Sequence, residues 1–343
     1  MLKRLRRGLA SLKGVVKQAS PKSKWDAMKI AFDFMYCKVK FHVRQDEYIK
    51  YRFYNLKNRY RKNFLLVHHK KRYYRNISKR FYTSYKYEFY KRIPDLYSRE
   101  IILAPYCGEE RFVEFLKKHQ KVVLKPDKGS WGIGIESFEY IDESSAKEKF
   151  KTFSKEAPTI CEEYIRQHHS LNQLNPFSVN TIRIVTIMNN GNMEIISATL
   201  KTGGAADKFI DNMHNGGIGA QVDIQSGVVT TYGCDYKNVE YLKHPISGEQ
   251  FLGFKIPNWD KVIELVKKAH HRLPEYIFGW DVAVTEEGAD IVEANNSPGP
   301  LLMQTMDRIP KGEKILKMIK TIKIPQEYSK SNPYIPDYNS YYN

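Results

Sequence analysis

Cysteine is scarce. The four in 343 residues, Cys37, Cys107, Cys161 and Cys234, stand 54 to 73 positions apart with no C-x-x-C pair. That excludes a disulfide-built scaffold and the usual zinc spacings, and it fits a chain kept in a reducing cytoplasm. Long apolar runs are missing too. No stretch approaches the roughly 18 to 20 residues of a spanning helix, and the start MLKRLRRGLASLKGVVKQAS lacks a secretory apolar core and a small-residue cleavage site. Export and membrane spanning are therefore not expected. Acidic residues are nearly absent from positions 1–99, where 28 Lys/Arg stand against 6 Asp/Glu; this net +22 exceeds the whole-chain +18, and the remainder sums to −4. The basic region also holds 12 of the 24 tyrosines. It favours an acidic partner, whether nucleic acid, an anionic membrane surface or a negatively charged glycan.

What is present suffices for one large or two smaller domains, since 42% of the residues are hydrophobic. Leu2, Leu5, Leu9, Leu12 and Val16 recur at helical spacing among Lys and Arg, a basic amphipathic helix that either lies on a bilayer or packs on its own protein. From Trp25 to about Tyr97 the same spacing predicts two or three helices. After Pro94 the texture changes to short β-branched runs at 122–126, 133–141, 158–165, 180–188 and 193–201, with Asn189-Asn190-Gly191-Asn192 joining the last two as a hairpin. Helices are expected at 113–119, 142–153 and 259–273, the last capped by Asn258 or Asp260. The tail from Pro325 reads as extended.

The stretch 279–299 carries the clearest chemistry. Two β runs, Gly279 to Thr285 and Ile291 to Asn295, flank a polar turn near Gly288, and antiparallel pairing would set Asp281 opposite Asn295 and Ala283 opposite Glu293. Alternation then places Asp281, Glu293 and Asn295 on one face and Val282, Val284, Val292 and Ala294 on the other. Two carboxylates and an amide oxygen suit a hard cation such as Mg²⁺, although an exposed polar ribbon face has the same pattern. A second feature is the strand Val122 to Pro126 leading into Asp127-Lys128-Gly129-Ser130-Trp131-Gly132-Ile133-Gly134. Glycines let the loop backbone approach a phosphate, although a plain hairpin turn reads alike. Neither G-x-x-x-x-G-K-[ST] nor a helix-opening G-x-G-x-x-G is present, which disfavours P-loop and Rossmann sites.

In their order, Lys125 before a glycine loop, Cys161-Glu162-Glu163-Tyr164-Ile165, Asn180-Thr181-Ile182-Arg183, Lys201, and Asp281 with Glu293-x-Asn295 and Ser297-Pro298-Gly299, these segments resemble the ATP-grasp superfamily. The texture is most similar to its sugar-transfer-associated branch, found with polysaccharide assembly enzymes, over about residues 100–320. The resemblance implies an α+β ATP-grasp fold, two α+β subdomains gripping ATP, over residues 98–323, with a hinge near 161–166. A basic, mainly helical region 1–97 would precede it and an extended tail 324–343 would follow.

The resemblance further implies that Lys125 and Lys201 contact the nucleotide phosphates and that Lys128, Gly129, Ser130, Trp131 and Gly132 form a closing lid. Glu162, Glu163, Tyr164 and Ile165 would supply the adenine hinge, and Arg183 would steady the transferring phosphoryl group or its acceptor. Asp281, Glu293 and Asn295 would hold Mg²⁺, with Glu293 bridging two ions. Each residue read singly also has an ordinary structural role open to it, as a solvated strand end or a rim ion pair. Many ligases of the superfamily carry an arginine two residues before the metal aspartate; that position is Gly279 here, so Arg183 would supply the charge. The acid expected after the hinge to bind ribose is replaced by Arg166-Gln167-His168-His169. In the glycine-rich loop at 212–220, His214 is a candidate for substrate contact or proton transfer, and a surface turn reads equally well.

The implied function is an ATP-dependent carboxylate–amine ligase working through an acyl phosphate. It would join an amino acid or amine to a uronic acid carboxylate of a cell-surface polysaccharide or its precursor, in the cytoplasm, with peripheral contact at the inner face of an anionic membrane left open. A phosphotransferase on the same fold shares the nucleotide half of the site. A nucleic-acid-binding protein gripping phosphates through the basic N-terminus is the rival of a different class; it leaves the acidic hairpin without a role, and no nucleic-acid partner is expected.

Overall fold

A computed structural model describes residues 2–78, 81–129, 132–205, 213, 216–324 and 336–342, and side chains among them except those of 2–9, 75, 76, 81 and 82. In chain order the elements begin with α1 (Leu2–Ala19), α2 (Lys24–Phe41), α3 (Gln45–Lys50), α4 (Asn58–Arg61), α5 (Val67–Ile77) and α6 (Lys86–Arg92). Then come β1 (Ile101–Ala104), α7 (Glu109–His119), β2 (Lys121–Pro126), β3 (Glu136–Glu139), α8 (Glu143–Phe150), β4 (Thr159–Glu163) and α9 (His169–Leu174). The remainder is β5 (Thr181–Asn189), β6 (Asn192–Thr202), β7 (Ile218–Val222), β8 (Gly233–Asp235), β9 (Glu240–Tyr241), α10 (Trp259–Arg272), β10 (Ile277–Val284), β11 (Ala289–Asn295), α11 (Pro300–Thr305) and α12 (Gly312–Thr321). The chain divides into two units, one of residues 1–77 with 299–323 and one of residues 78–298 with 324–343. The compositional boundary at 97 and this division differ, because α6 and the segment after it build into the second unit while α11 and α12 return to the first.

The first unit is helical. Ser23 caps α2 by accepting from the Asp26 amide at 3.1 Å, and His42, left-handed at φ 54°, ends it. Ile30, Phe34 and Cys37 of α2 pack with Tyr48, Tyr51, Phe53 and Phe64, so part of the tyrosine excess is core. Val15 of α1 is buried in this cluster, with Leu12 and Val16 against it; that half of the helix packs on its own protein, and the side chains of Leu2, Leu5 and Leu9 lie outside the described residues. Gln304 ties α11 to the N-terminal helices, donating to the Leu65 carbonyl at 2.9 Å and accepting from the Leu65 amide at 3.0 Å. Where two or three helices are expected between 25 and 97, the described residues form the five from α2 to α6. The apolar periodicity continues across breaks, such as left-handed His42 and Arg52, that composition does not announce.

The second unit holds two antiparallel sheets, of order β1-β4-β2-β3 and β11-β10-β5-β6-β7-β8-β9. Helix α7 buries Phe112, Val113, Phe115 and Leu116 on the four-stranded sheet. Helix α10 lays Val262, Val266 and Ala269 on Ile182, Ile184, Phe278 and Trp280 of the seven-stranded one. Its opposite face is left for polar residues. The β5–β6 hairpin turns on Asn190 and Gly191, both at positive φ, the pair a two-residue primed turn requires. Asn258 occupies the N-cap position of α10 but makes no side-chain cap; its amide instead donates to the Thr285 and Glu286 carbonyls. The tail is not extended where described: Tyr342 Oη accepts from the Leu103 amide at 2.7 Å, and Tyr338 donates to Asp127 at 2.5 Å. No helix among the described residues is long and apolar enough to cross a membrane.

Candidate active site

The core of the seven-stranded sheet fixes which side chains face away from α10. Ile182, Ile184, Trp280 and Val282 point into the core, so Arg183 and Asp281 point to the other face. Register carries this into a row across five strands: Glu293 pairs with Asp281, Asp281 with Arg183, Arg183 with Thr199, and Thr199 with Gln221. Lys201, one pleat repeat along β6, reaches back to Asp281 at 3.2 Å. Arg183 grips the same carboxylate with two parallel bonds, Nε to Oδ1 at 2.6 Å and Nη2 to Oδ2 at 2.5 Å. Burial alone would raise the Asp281 carboxyl; Arg183 and then Lys201 outweigh it and hold it at about 2. Asp281 is therefore a fixed anion.

The expected register is off by two. Asn295 lies opposite Gly279 rather than Asp281, and Glu293 opposite Asp281 rather than Ala283. A shift of two keeps every side chain on its face, so Asp281, Glu293 and Asn295 still share one. Val292 is the exception. The pairing slips between Asp281 and Val282, which meets Ile291, so Ile291 takes the core position and Val292 is left half-buried in a bulge. Glu293 and Asn295 make no side-chain hydrogen bond or ion pair among the described residues. They stand on the face that holds Asp281, with Glu293 in the same row, and the donor set fits a hard divalent cation. A side chain at 279 has no room, because a Cβ there would lie 2.8 Å from Pro298 Cβ and 3.5 Å from Arg183; the guanidinium of Arg183 occupies that neighbourhood.

On the four-stranded sheet Lys125 projects from β2 and is 8% exposed. Its ammonium donates to Glu162 Oε2 at 2.7 Å, and Arg99 meets the same oxygen at 3.1 Å. Arg99 also pairs with Asp290 at 2.7 Å and donates to the Ile291 carbonyl at 2.8 Å, tying the first sheet to the strand that carries Glu293. The Glu162 side chain is thus a buried counterion and not a solvated strand end. Burial alone would raise its carboxyl, but Lys125 and then Arg99 hold it below the ordinary range. Strand β4 ends at Glu163, and Tyr164 and Ile165 follow in irregular backbone, with the Tyr164 amide donating to the Lys121 carbonyl at 3.3 Å. Beyond them Gln167 is a buried structural amide, while His168 and His169 lie 3.3 and 3.1 Å from Glu286 at the hairpin tip.

Gly132 and Gly134 both adopt positive φ, 75° and 74°, which explains the glycine loop locally. Its root is held by a residue the sequence did not single out. Lys86 donates to the carbonyls of Pro126 at 2.9 Å and Gly129 at 3.1 Å, and burial pushes its ammonium below the usual lysine range against the pull of Glu293. Asp127 fastens the same root, accepting from the Tyr87 amide at 2.7 Å and from Tyr338. Lys128 is exposed and stacks over Tyr85, 5.4 Å from the ring centre. Ser130, Trp131 and His214 lie outside the described residues.

Thr199 and Gln221 also escaped sequence reading, since neither type announces a site. Thr199 Oγ1 and Gln221 Oε1 are buried without a hydrogen-bond partner among the described residues, on the face and in the row that hold Arg183 and Asp281. An unsatisfied buried hydroxyl costs about 1–3 kcal/mol, so it persists where it has a use. Thr199→Val should leave the melting temperature of the free protein equal or higher and lower the activity of the site. A destabilised variant of unchanged activity would show the hydroxyl to be structural.

Residues 50–323 match the family model described as sugar-transfer associated ATP-grasp. The chain belongs to the sugar-transfer associated ATP-grasp family. The match begins at residue 50, well before the motifs near residue 100, so family membership takes in half of the region expected to lie outside it. No curated protein matches the chain. Solved structures similar to this ATP-grasp protein include a D-alanyl-alanine synthetase from Vibrio cholerae, 10% identical over 69% of this chain and 64% of that one, with a TM-score of 0.42. A D-alanine–D-alanine ligase from Bacillus anthracis is 16% identical over 69% and 66%, with a TM-score of 0.42. A phosphoribosylamine–glycine ligase from Thermotoga maritima is 13% identical over 71% and 56%, with a TM-score of 0.45. The chain spans 56 to 66% of the length of these structures.

Proposed function

We propose that this ATP-grasp protein is an ATP-dependent carboxylate–amine ligase. The observation that carries the reading is the row Glu293–Asp281–Arg183 with Lys201 beside it, two carboxylates next to two cations on one sheet face. A carboxylate is a poor electrophile because oxide would have to leave. Transfer of the ATP γ-phosphoryl to a carboxylate oxygen gives an acyl phosphate and ADP; an amine then attacks the acyl carbon, phosphate leaves, and the amine proton passes to a base or solvent. Asp281, Glu293 and Asn295 would hold Mg²⁺, which would neutralise phosphate charge. Arg183 and Lys201, oriented in the free protein by Asp281, present positive charge to the transferring group, and Lys125 does so from the other sheet. Lys86 and Asp127 hold the root of the loop 127–134, whose closure would exclude the water that hydrolyses an acyl phosphate.

The substrate reading is a uronic acid carboxylate of a cell-surface polysaccharide or its precursor, with an amino acid or amine as co-substrate, in the cytoplasm. Family membership and the basic first unit support it. Mass spectrometry of products from ATP, Mg²⁺ and pools of acidic sugars and amino acids tests it. Phosphate release that depends strictly on added amine, with an amide product, is expected; a stable phosphorylated sugar formed without amine would select phosphotransfer instead. Lys125→Ala and Lys201→Ala should each weaken ATP binding about tenfold or more through lost phosphate contacts, read by nucleotide titration, whereas Lys128→Ala should lower turnover more than affinity. Unchanged affinity and turnover in both strand variants would remove the nucleotide from this place.

A further inference from the structure

Helix α2 has two apolar faces, and only one of them is used by the fold. Ile30, Phe34 and Cys37 point into the first unit. On the opposite side Trp25, Met28, Phe32, Met35, Tyr36 and Val39 all face solvent, with Phe32 72% and Val39 75% exposed. At about 100° per residue these six make one stripe roughly 100° wide along the whole helix. Single exposed apolar residues need no explanation, but an unbroken stripe of large ones marks a binding surface.

Charge says what the surface meets. Lys24 and Lys38 border the stripe on one side, Lys29 and Lys40 on the other. The two acids of the helix are engaged elsewhere: Asp26 closes the N-terminal turn by accepting from Lys22, and Asp33 pairs with Arg61. The unit that carries the stripe has 28 Lys/Arg against 6 Asp/Glu, while the rest of the chain is slightly acidic. The spacing 25, 28, 32, 35, 39 is also that of a helix pair, but the charged residues at the flanking positions of such a pair would be Lys24, Lys29 and Lys38, without one acid. A second copy would set lysine against lysine. An aromatic-rich apolar stripe rimmed by lysines is instead the pattern of a helix lying in the interface of an anionic bilayer, with tryptophan and tyrosine at headgroup depth.

We infer that the outer face of α2 docks the protein on an anionic lipid surface. The inference does not depend on the ATP site, and it assigns membrane contact to α2, since the described half of the apolar face of α1 is spent on the protein core. Full-length protein should co-sediment with vesicles of phosphatidylcholine and phosphatidylglycerol and much less with phosphatidylcholine alone, and the binding should weaken as salt rises. Phe32→Ser with Val39→Ser should lower vesicle partitioning at least about tenfold without lowering the melting temperature, because both side chains are already exposed. Lys24, Lys29 and Lys38 changed together to Glu should abolish the preference for anionic lipid. Quenching by brominated acyl chains that is present in the native protein and lost in Trp25→Phe reports insertion independently of partitioning. Absence of binding at low salt, or binding untouched by the serine pair, overturns the inference. So does concentration-dependent self-association in the ultracentrifuge that the serine pair abolishes, which would assign the stripe to a second copy.

Discussion

Glu293→Gln is expected to lower ATP-dependent turnover by roughly 10³-fold while leaving the melting temperature nearly unchanged, the scale seen when one preorganised electrostatic group is removed from a site. The separation of the two effects follows from its surroundings. Glu293 is half-buried and makes no side-chain hydrogen bond or ion pair among the described residues, so the native fold gives up little when its charge is removed. Asp281→Asn is the contrasting variant. It leaves Arg183 and Lys201 facing a neutral amide in a buried site, so it should lose stability, by about 3 kcal/mol or more, as well as activity. Turnover assays over a Mg²⁺ series, paired with thermal melts of both variants, check this. Full activity in Glu293→Gln would take the divalent ion away from the hairpin. A large loss of stability in that variant would make Glu293 a structural anion.

The hairpin was legible because a strand has a period of two. Alternation alone sorted Asp281, Glu293 and Asn295 from Val282, Val284 and Ala294, and a register error of two left the sorting intact. What alternation cannot give is the length of the turn or a bulge, so the pairing partners and the place of Val292 were hidden. Lys125 was visible as a strand lysine before a glycine loop, but its tie to Glu162 was not, since the two are 37 residues apart and meet only when β2 and β4 lie side by side. Arg99 and Lys86 are missed for the same reason. They are single basic residues in a region full of them, distinguished only by what they touch. Thr199 and Gln221 carry no sequence signal beyond sitting in strands. The stripe on α2 was masked by the inner face of the same helix: apolar residues on both sides read as a general helical periodicity, and only burial separates the face that folds from the face that is left.

Glu162→Gln is expected to cost about 3–5 kcal/mol of stability, roughly 10 °C in melting temperature for a unit of this size, with loss of ATP binding as well. Glu162 is the counterion that Lys125 and Arg99 share, and all three are buried. Arg99 keeps Asp290 when Glu162 is neutralised, but Lys125 has no other hydrogen-bonding partner among the described residues and becomes an uncompensated buried cation. The double variant Glu162→Gln, Lys125→Met removes that cation and should recover most of the lost stability while remaining unable to bind ATP tightly. This split distinguishes an electrostatic cause from disturbed packing. The acid limb of the stability profile gives an independent reading. The folded-state pKa of Glu162 lies below its ordinary 4.5, so its contribution is whole above that value and is lost as pH falls through the lower, folded one. Chemical denaturation of the native protein should therefore show stability dropping from about pH 4.5 downward, with Asp281 adding a further loss between 3.8 and about 2. The Glu162→Gln protein should be less stable at neutral pH and flatter through the upper part of that window. Parallel profiles for the two proteins would show that the Glu162 carboxylate contributes nothing to the fold through its charge.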